Sequence, residues 1–272
     1  MKYYFFTYTP IWAMLLYIII PVTYAAYKGA GTLGRLATIL VPFIMLTILF
    51  YFILGFSHFD LSVFQPVLVD SKITQLALGG FFTAARISEI LILYIFSYFL
   101  DQKVKIYKTY AKSILVFAIC FFSILFPTAM SLGIELAKNS WSPYFLFTRQ
   151  VKAYDFIERV QSLNTLAWFP VILLKIAVYN FMASYVLSGI VKAKSYKPFV
   201  IPFSILAFSI CLIPIMNKSS TIDYLRSDSF FPYMIFPIVV IIPLLAVIVY
   251  FIRRKKINQI LQQKQASRLS SN

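Results

Sequence analysis

The stretch ITQLALGGFFTAARISEILILYIFSYF, residues 73–99, decides the fold. A helix crosses the about 30 Å hydrocarbon core of a bilayer with roughly 20 residues, and this run exceeds that length. Two charges, Arg86 and Glu89, stand inside it. Three residues apart, they share a helical face on which each neutralises the other. At about 1.5 Å per residue Glu89 lies roughly 18 Å from Asp101, close to the midplane of a bilayer. An ionised group facing lipid at that depth costs on the order of 2.5–3.5 kcal/mol, so such groups line a polar interior or close a structural ion pair. Gly79 and Gly80 precede the charges, which predicts a tilted or discontinuous helix lining a cavity, or else a site of close helix packing.

Outward from this segment the chain stays apolar. Of 272 residues, 61% are hydrophobic and only 12% charged, with a mean hydropathy of +0.82. That excludes a soluble globule, a disordered chain, collagen and a coiled coil. Six more apolar segments are marked: Pro10–Tyr27, Leu36–Gly55, Lys112–Gly133, Ser162–Gly189, Pro198–Met216 and Phe231–Ile252. The expected protein is all-α and polytopic, with seven transmembrane helices. Residues 1–252 form one transmembrane domain and 253–272 a basic cytoplasmic tail.

The net charge of +16 follows topology. Alternate connections collect the basic residues: Lys28 and Arg35, then Lys103, Lys105, Lys108 and Lys112, then Lys192, Lys194 and Lys197, then the run from Arg253 to Arg268. The other connections hold fewer, mixed with Asp60, Asp70, Glu135, Asp155, Glu158, Asp223 and Asp228. The positive-inside rule places the C-terminus in the cytoplasm and the N-terminus outside. Contact with membrane lipid explains the basic tail better than nucleic acid, which is not an expected partner. A cleaved leader over Ile11–Ile20 is disfavoured, because Lys28 and Arg35 follow a run of full spanning length.

A third charge inside the spans is Lys175, central in the fifth segment, with Tyr179 one turn further. Two spans thus carry opposite charges at similar depth, the requirement for a polar pathway or, equally, for an ion pair locking helices together. Prolines such as Pro21, Pro42, Pro127 and Pro170 read as kinks. Cys120 and Cys211 sit in apolar runs as packing residues, and His58 beside Asp60 has no second ligand nearby, so neither a disulfide nor a metal site is expected. No catalytic constellation stands among the spans, which argues against an enzyme, and no cofactor is expected. The connection Ile134 to Gln161 mixes charge with aromatics, predicting a short amphipathic surface helix from about Phe145, with Asp155 to Arg159 as a solvated or partner-binding face.

In order and spacing, Thr9-Pro10, Gly34-Arg35, Gln65-Pro66-Val67-Leu68, Ser88-Glu89-Ile90-Leu91, Ser142-Pro143 with Arg149, Asp155-Phe156-Ile157-Glu158-Arg159, and Trp168 with Lys175 and Tyr179 resemble the spore germination permease family. Its members are the B subunits of bacterial germinant receptors, within the amino acid, polyamine and organocation transporter superfamily. The resemblance implies a ten-helix LeuT-like fold of two inverted five-helix repeats, in which the seven spans correspond to helices 4–10 and the first three are absent. Three fewer crossings agree with an external N-terminus. Residues 73–99 then take the place of the broken sixth helix, and Glu89 matches an acidic residue common there. Arg86 and Ile87 depart from the family pattern of glycine or an aromatic, and the absent first helix normally supplies the other half of the site.

The resemblance implies a membrane subunit of a germinant receptor in the spore inner membrane, sensing a small nutrient such as an amino acid and signalling to companion A and C subunits. Glu89, Arg86, Lys175, Tyr179, Gly79 and Gly80 are the candidate ligand- or ion-binding residues. The alternatives are a proton-coupled amino acid symporter, with Glu89 carrying the proton, and a degenerate structural subunit without ligand.

Overall fold

The computed structural model describes residues 8–65, 72–87, 92–100, 104–140, 142–151, 161–216, 241, 244–245 and 247–254. Helix α1 (Ile11–Lys28) stops at Gly29, where φ 87° and ψ −176° place the backbone in a region essentially reserved for glycine. The Tyr196 hydroxyl lies against the position a side chain would take there. It also donates to the Tyr27 carbonyl at 3.1 Å. Helix α2 (Ala30–Gly55) restarts at once, six residues before the expected Leu36. The apolar run marks the bilayer crossing, whereas backbone hydrogen bonding continues through the polar end that carries Arg35. The same difference recurs in α5 (Ile106–Leu132), which begins ahead of Lys112.

Helix α3 (Ile73–Ile87) runs unbroken through Gly79 and Gly80, and Thr83 Oγ1 donates to the Gly79 carbonyl at 2.8 Å. Of the tilted or discontinuous helix expected over this segment, the described residues are continuous at Gly79 and Gly80, and residues 88–91 lie outside them. Each glycine costs about 1 kcal/mol against alanine in a helix, less than the several kcal/mol of unpaired backbone groups in hydrocarbon. Helix α4 (Ile92–Phe96) and a tight turn over Ser97–Phe99 follow. Beyond α5 come α6 (Ile134–Asn139) and α7 (Pro143–Gln150), the latter opened by a proline at its first position, where the missing N–H has no helical partner to lose. The chain continues in α8 (Gln161–Ile190) and α9 (Lys197–Met216).

Among the described residues four helices are long and apolar enough to cross a membrane: α1, α2 with its following turn, α5 and α8. Helix α9 adds a shorter apolar stretch, Lys197–Leu212. The protein is an all-α polytopic membrane protein. The third and seventh expected spans fall partly outside the described residues.

Two compact units divide the chain. The larger comprises Met1–Asp70 and Ile95–Met216, and α8 is its central helix, packed against α1, α2, α7 and α9. Small and polar residues of α8 make these approaches: Ala167, Ala177, Ser184 and Ser188 are all buried. Lipid-immersed helices associate through such close backbone contact rather than through a hydrophobic drive. The smaller unit comprises Ser71–Tyr94 and Asn217–Asn272 and contains α3.

Candidate functional site

Lys175 lies fourteen residues from the start of α8 and fifteen from its end, the middle of the span. Four residues on, Tyr179 falls on the same face. Ala177, Phe181, Ser184 and Ser188, all buried, occupy the opposite face at 100° per residue. Lys175 and Tyr179 are both exposed on the larger unit, Tyr179 by 40%. An ammonium at the middle of a span needs a polar surrounding.

On α3, Gly79, Thr83 and Arg86 occupy positions of a single face, with Gly80 one residue off it. Glu89 lies outside the described residues, as does the stretch Asp155 to Arg159. The structure thus places Lys175 with Tyr179 on one helix, and Gly79 and Gly80 with Arg86 on another.

A polar knot escaped the sequence reading altogether. The Tyr51 hydroxyl accepts the Asn164 backbone N–H at 3.2 Å. That N–H lies at the head of α8. Tyr51, Tyr144 and Trp168 form an edge-to-face series, with ring centroids 6.3 Å and 6.2 Å apart. Among the described residues Asn164 Oδ1, Tyr144 Oη and Trp168 Nε1 are buried without hydrogen-bond partners. A buried acceptor, hydroxyl and donor are thus left near the contact of α2, α7 and α8, groups of the kind that buried water satisfies. Burial first, and the Tyr51 phenol second, push the Tyr144 hydroxyl above its usual range. The only signal available beforehand was the spacing of Asn164 and Trp168, one turn apart at the head of a span.

The loop after α2 carries the chain's histidine. His58 Nδ1 lies 3.1 Å from Ser57 Oγ. Asp60 accepts the Ser62 backbone N–H at 2.9 Å, and the Ser62 hydroxyl and N–H hold its carboxyl below the usual range. Cys120 and Cys211 are free thiols. Among the described residues no cluster of three His, Cys, Asp or Glu side chains is placed to hold a metal.

The profile of a family described as spore germination protein matches residues 1–220. The chain is 24% identical over 236 residues to spore germination protein XB of Bacillus anthracis, covering 86% of this chain and 64% of that protein. It is 28% identical over 234 residues to putative spore germination protein YfkT of Bacillus subtilis, covering 85% and 62% respectively. The chain thus spans just under two thirds of the length of these curated relatives. No solved structure matches it.

Proposed function

Because this chain belongs to the spore germination protein family and is a membrane protein connected with germination, we propose that it senses a small nutrient such as an amino acid within a germinant receptor. The observation that carries this reading is the exposed pair Lys175 and Tyr179 at the centre of α8, opposite the buried face of its unit. A midplane cation so placed matches the carboxylate of an amino-acid ligand, and the phenol adds a directional hydrogen bond. Glu89, deep in its own span by sequence, is the group suited to a ligand amine or an ion, and Arg86, three residues before it, tunes its charge. Gly79 and Gly80 leave the backbone of α3 uncovered earlier in the same helix. Companion A and C subunits receive the signal, and the setting is the spore inner membrane.

Replacement by Lys175→Gln or Glu89→Gln is expected to abolish the germination response to amino acids in spores where the variant still accumulates in the membrane. An unchanged response in both variants would remove these residues from the site. Uptake of labelled amino acid into vesicles, abolished by an uncoupler, would instead assign proton-coupled transport with Glu89 as the proton carrier.

A further inference from the structure

Helices α1 and α9 leave an elongated groove between them on the outer surface of the larger unit. Its volume, about 540 Å³, falls within the roughly 300–1,000 Å³ of ligand pockets. Leu16, Ile19 and Ile20 wall it on one side and Ile201, Ile205 and Phe208 on the other, with Tyr24 and Tyr27 towards one end. From Leu16 to Tyr27 it runs about 17 Å at the helical rise, close to half the about 30 Å hydrocarbon thickness. It therefore has the depth of one leaflet.

The two hydroxyls in its floor are satisfied within the protein. Thr23 Oγ1 donates to the Ile19 carbonyl at 2.6 Å and lies 2.6 Å from Ser204 Oγ. Ser204 Oγ accepts from Asn180 Nδ2 at 2.6 Å and lies 3.0 Å from the Val200 carbonyl as its donor. The groove consequently presents hydrocarbon along its length.

Its tyrosine end is cationic. Lys28 Nζ stands 5.2 Å from the centroid of the Tyr24 ring, and Lys197 Nζ stands 5.2 Å from that of Tyr27. Each ammonium is held over an aromatic face within cation–π range. Lys28 closes α1 and Lys197 opens α9, so both lie where their helices leave the membrane. No Asp or Glu occurs in α1, α8 or α9.

We propose that this groove binds one anionic phospholipid, with an acyl chain along the Leu16 to Phe208 walls and the phosphate between Lys28 and Lys197. A packed partner helix would cover two lysines for which these helices offer no carboxylate. A lipid brings its own anion at headgroup depth together with a chain of one-leaflet length, so the charge pattern selects the lipid.

The test is native mass spectrometry of the full chain in detergent, titrated separately with dioleoyl phosphatidylglycerol and dioleoyl phosphatidylcholine. Retention of the first lipid is expected to exceed that of the second by on the order of tenfold, as two interfacial cations imply. The double substitution Lys28→Gln with Lys197→Gln is expected to abolish this preference. Lys192→Gln with Lys194→Gln, in the adjoining loop, is expected to leave it intact. Ile201→Trp fills the groove without touching its charges and is expected to lower retention of both lipids. Equal retention of the two lipids by the unmodified protein would overturn the proposal, as would a preference that survives the Lys28 and Lys197 substitutions. Displacement of the lipid by millimolar inorganic phosphate alone would reassign the mouth to a free anion and equally overturn it. Should the lysine variant fail to fold, the two-lipid comparison and Ile201→Trp decide the matter.

Discussion

Gly29 shows how much a single position controls. Its φ 87° and ψ −176° cost any residue with a Cβ about 1–3 kcal/mol. The Tyr196 hydroxyl also occupies the space a methyl would need. Gly29→Ala is expected to destabilise the protein by about 2 kcal/mol or more in thermal unfolding in detergent, and to cost less in a Tyr196→Phe background, which clears the space but leaves the dihedral penalty. Two tyrosines of the polar knot make a sharper contrast. Tyr51→Phe removes a buried hydrogen bond to the Asn164 N–H and is expected to cost about 0.5–1.5 kcal/mol. Tyr144→Phe removes a buried hydroxyl that has no partner among the described residues and is expected to be near neutral by the same measurement. The two also differ with pH. The Tyr144 hydroxyl is raised above the ordinary phenol value of about 10. The unfolded chain thus ionises first on alkalinisation while the fold retains its proton, and stability is lost as pH climbs past about 10. Tyr144→Phe is expected to flatten that alkaline decline in a stability-against-pH series.

At the scale of elements, α7 behaves differently from the amphipathic surface helix its sequence suggests. Phe147 and Thr148 are fully buried, and Phe147 joins Tyr51, Leu132 and Val151 in one apolar cluster. A Cβ at Gly55 would come within 2.6 Å of the Phe147 ring, so α7 presses directly on the backbone at the end of α2. Phe147→Ala is expected to cost about 3–5 kcal/mol and to release α7, read as faster amide hydrogen exchange over 143–150 than in the unmodified protein. The existence of this helix, which begins at Pro143, two residues before the expected Phe145, was legible from its aromatics. Its docking was not, because the receiving surface comes from Gly55 and Leu132, glycine and leucine positions that look ordinary in their own spans. The link between α1, α8 and α9 was hidden for the same reason. Thr23, Asn180 and Ser204 are polar residues scattered over three apolar runs, and only folding brings them together. A double-mutant cycle of Asn180→Ala and Ser204→Ala is expected to give a coupling of about 0.5–2 kcal/mol, the size typical of hydrogen bonds between membrane helices.

For the molecule as a whole, what sequence made legible was what the bilayer enforces. Apolar runs of spanning length predicted α1, α2, α5, α8 and α9 to within a few residues at most ends, since hydrocarbon allows no other solution to the backbone's hydrogen bonding. Their starts were less legible in α2 and α5, where the helix continues into the basic segments around Arg35 and Lys108. Of the candidate site, the mid-helix position of Lys175 was legible from the sequence, whereas its placement opposite the buried face of α8 depends on which neighbours α8 meets. The basic residues remain the best guide to orientation. Lys28 and Arg35 flank the α1–α2 junction, Lys105 and Lys108 stand at the head of α5, and Lys192, Lys194 and Lys197 join α8 to α9. If each expected span crosses once, all three groups lie on one face of the membrane, and the loop of His58 and Asp60 with α6 and α7 on the other. From the asymmetry of lysine and arginine we propose that the first face is cytoplasmic, together with the basic tail of residues 253–272. Single cysteines at Ser195 and at Asp60, in a background with Cys120→Ala and Cys211→Ala, distinguish the two orientations. In intact cells a membrane-impermeant maleimide is expected to label the cysteine at 60 and to reach the one at 195 only after permeabilisation. The opposite pattern would reverse the topology. It would also move the two-lysine mouth of the α1–α9 groove to the outer leaflet without altering its chemistry.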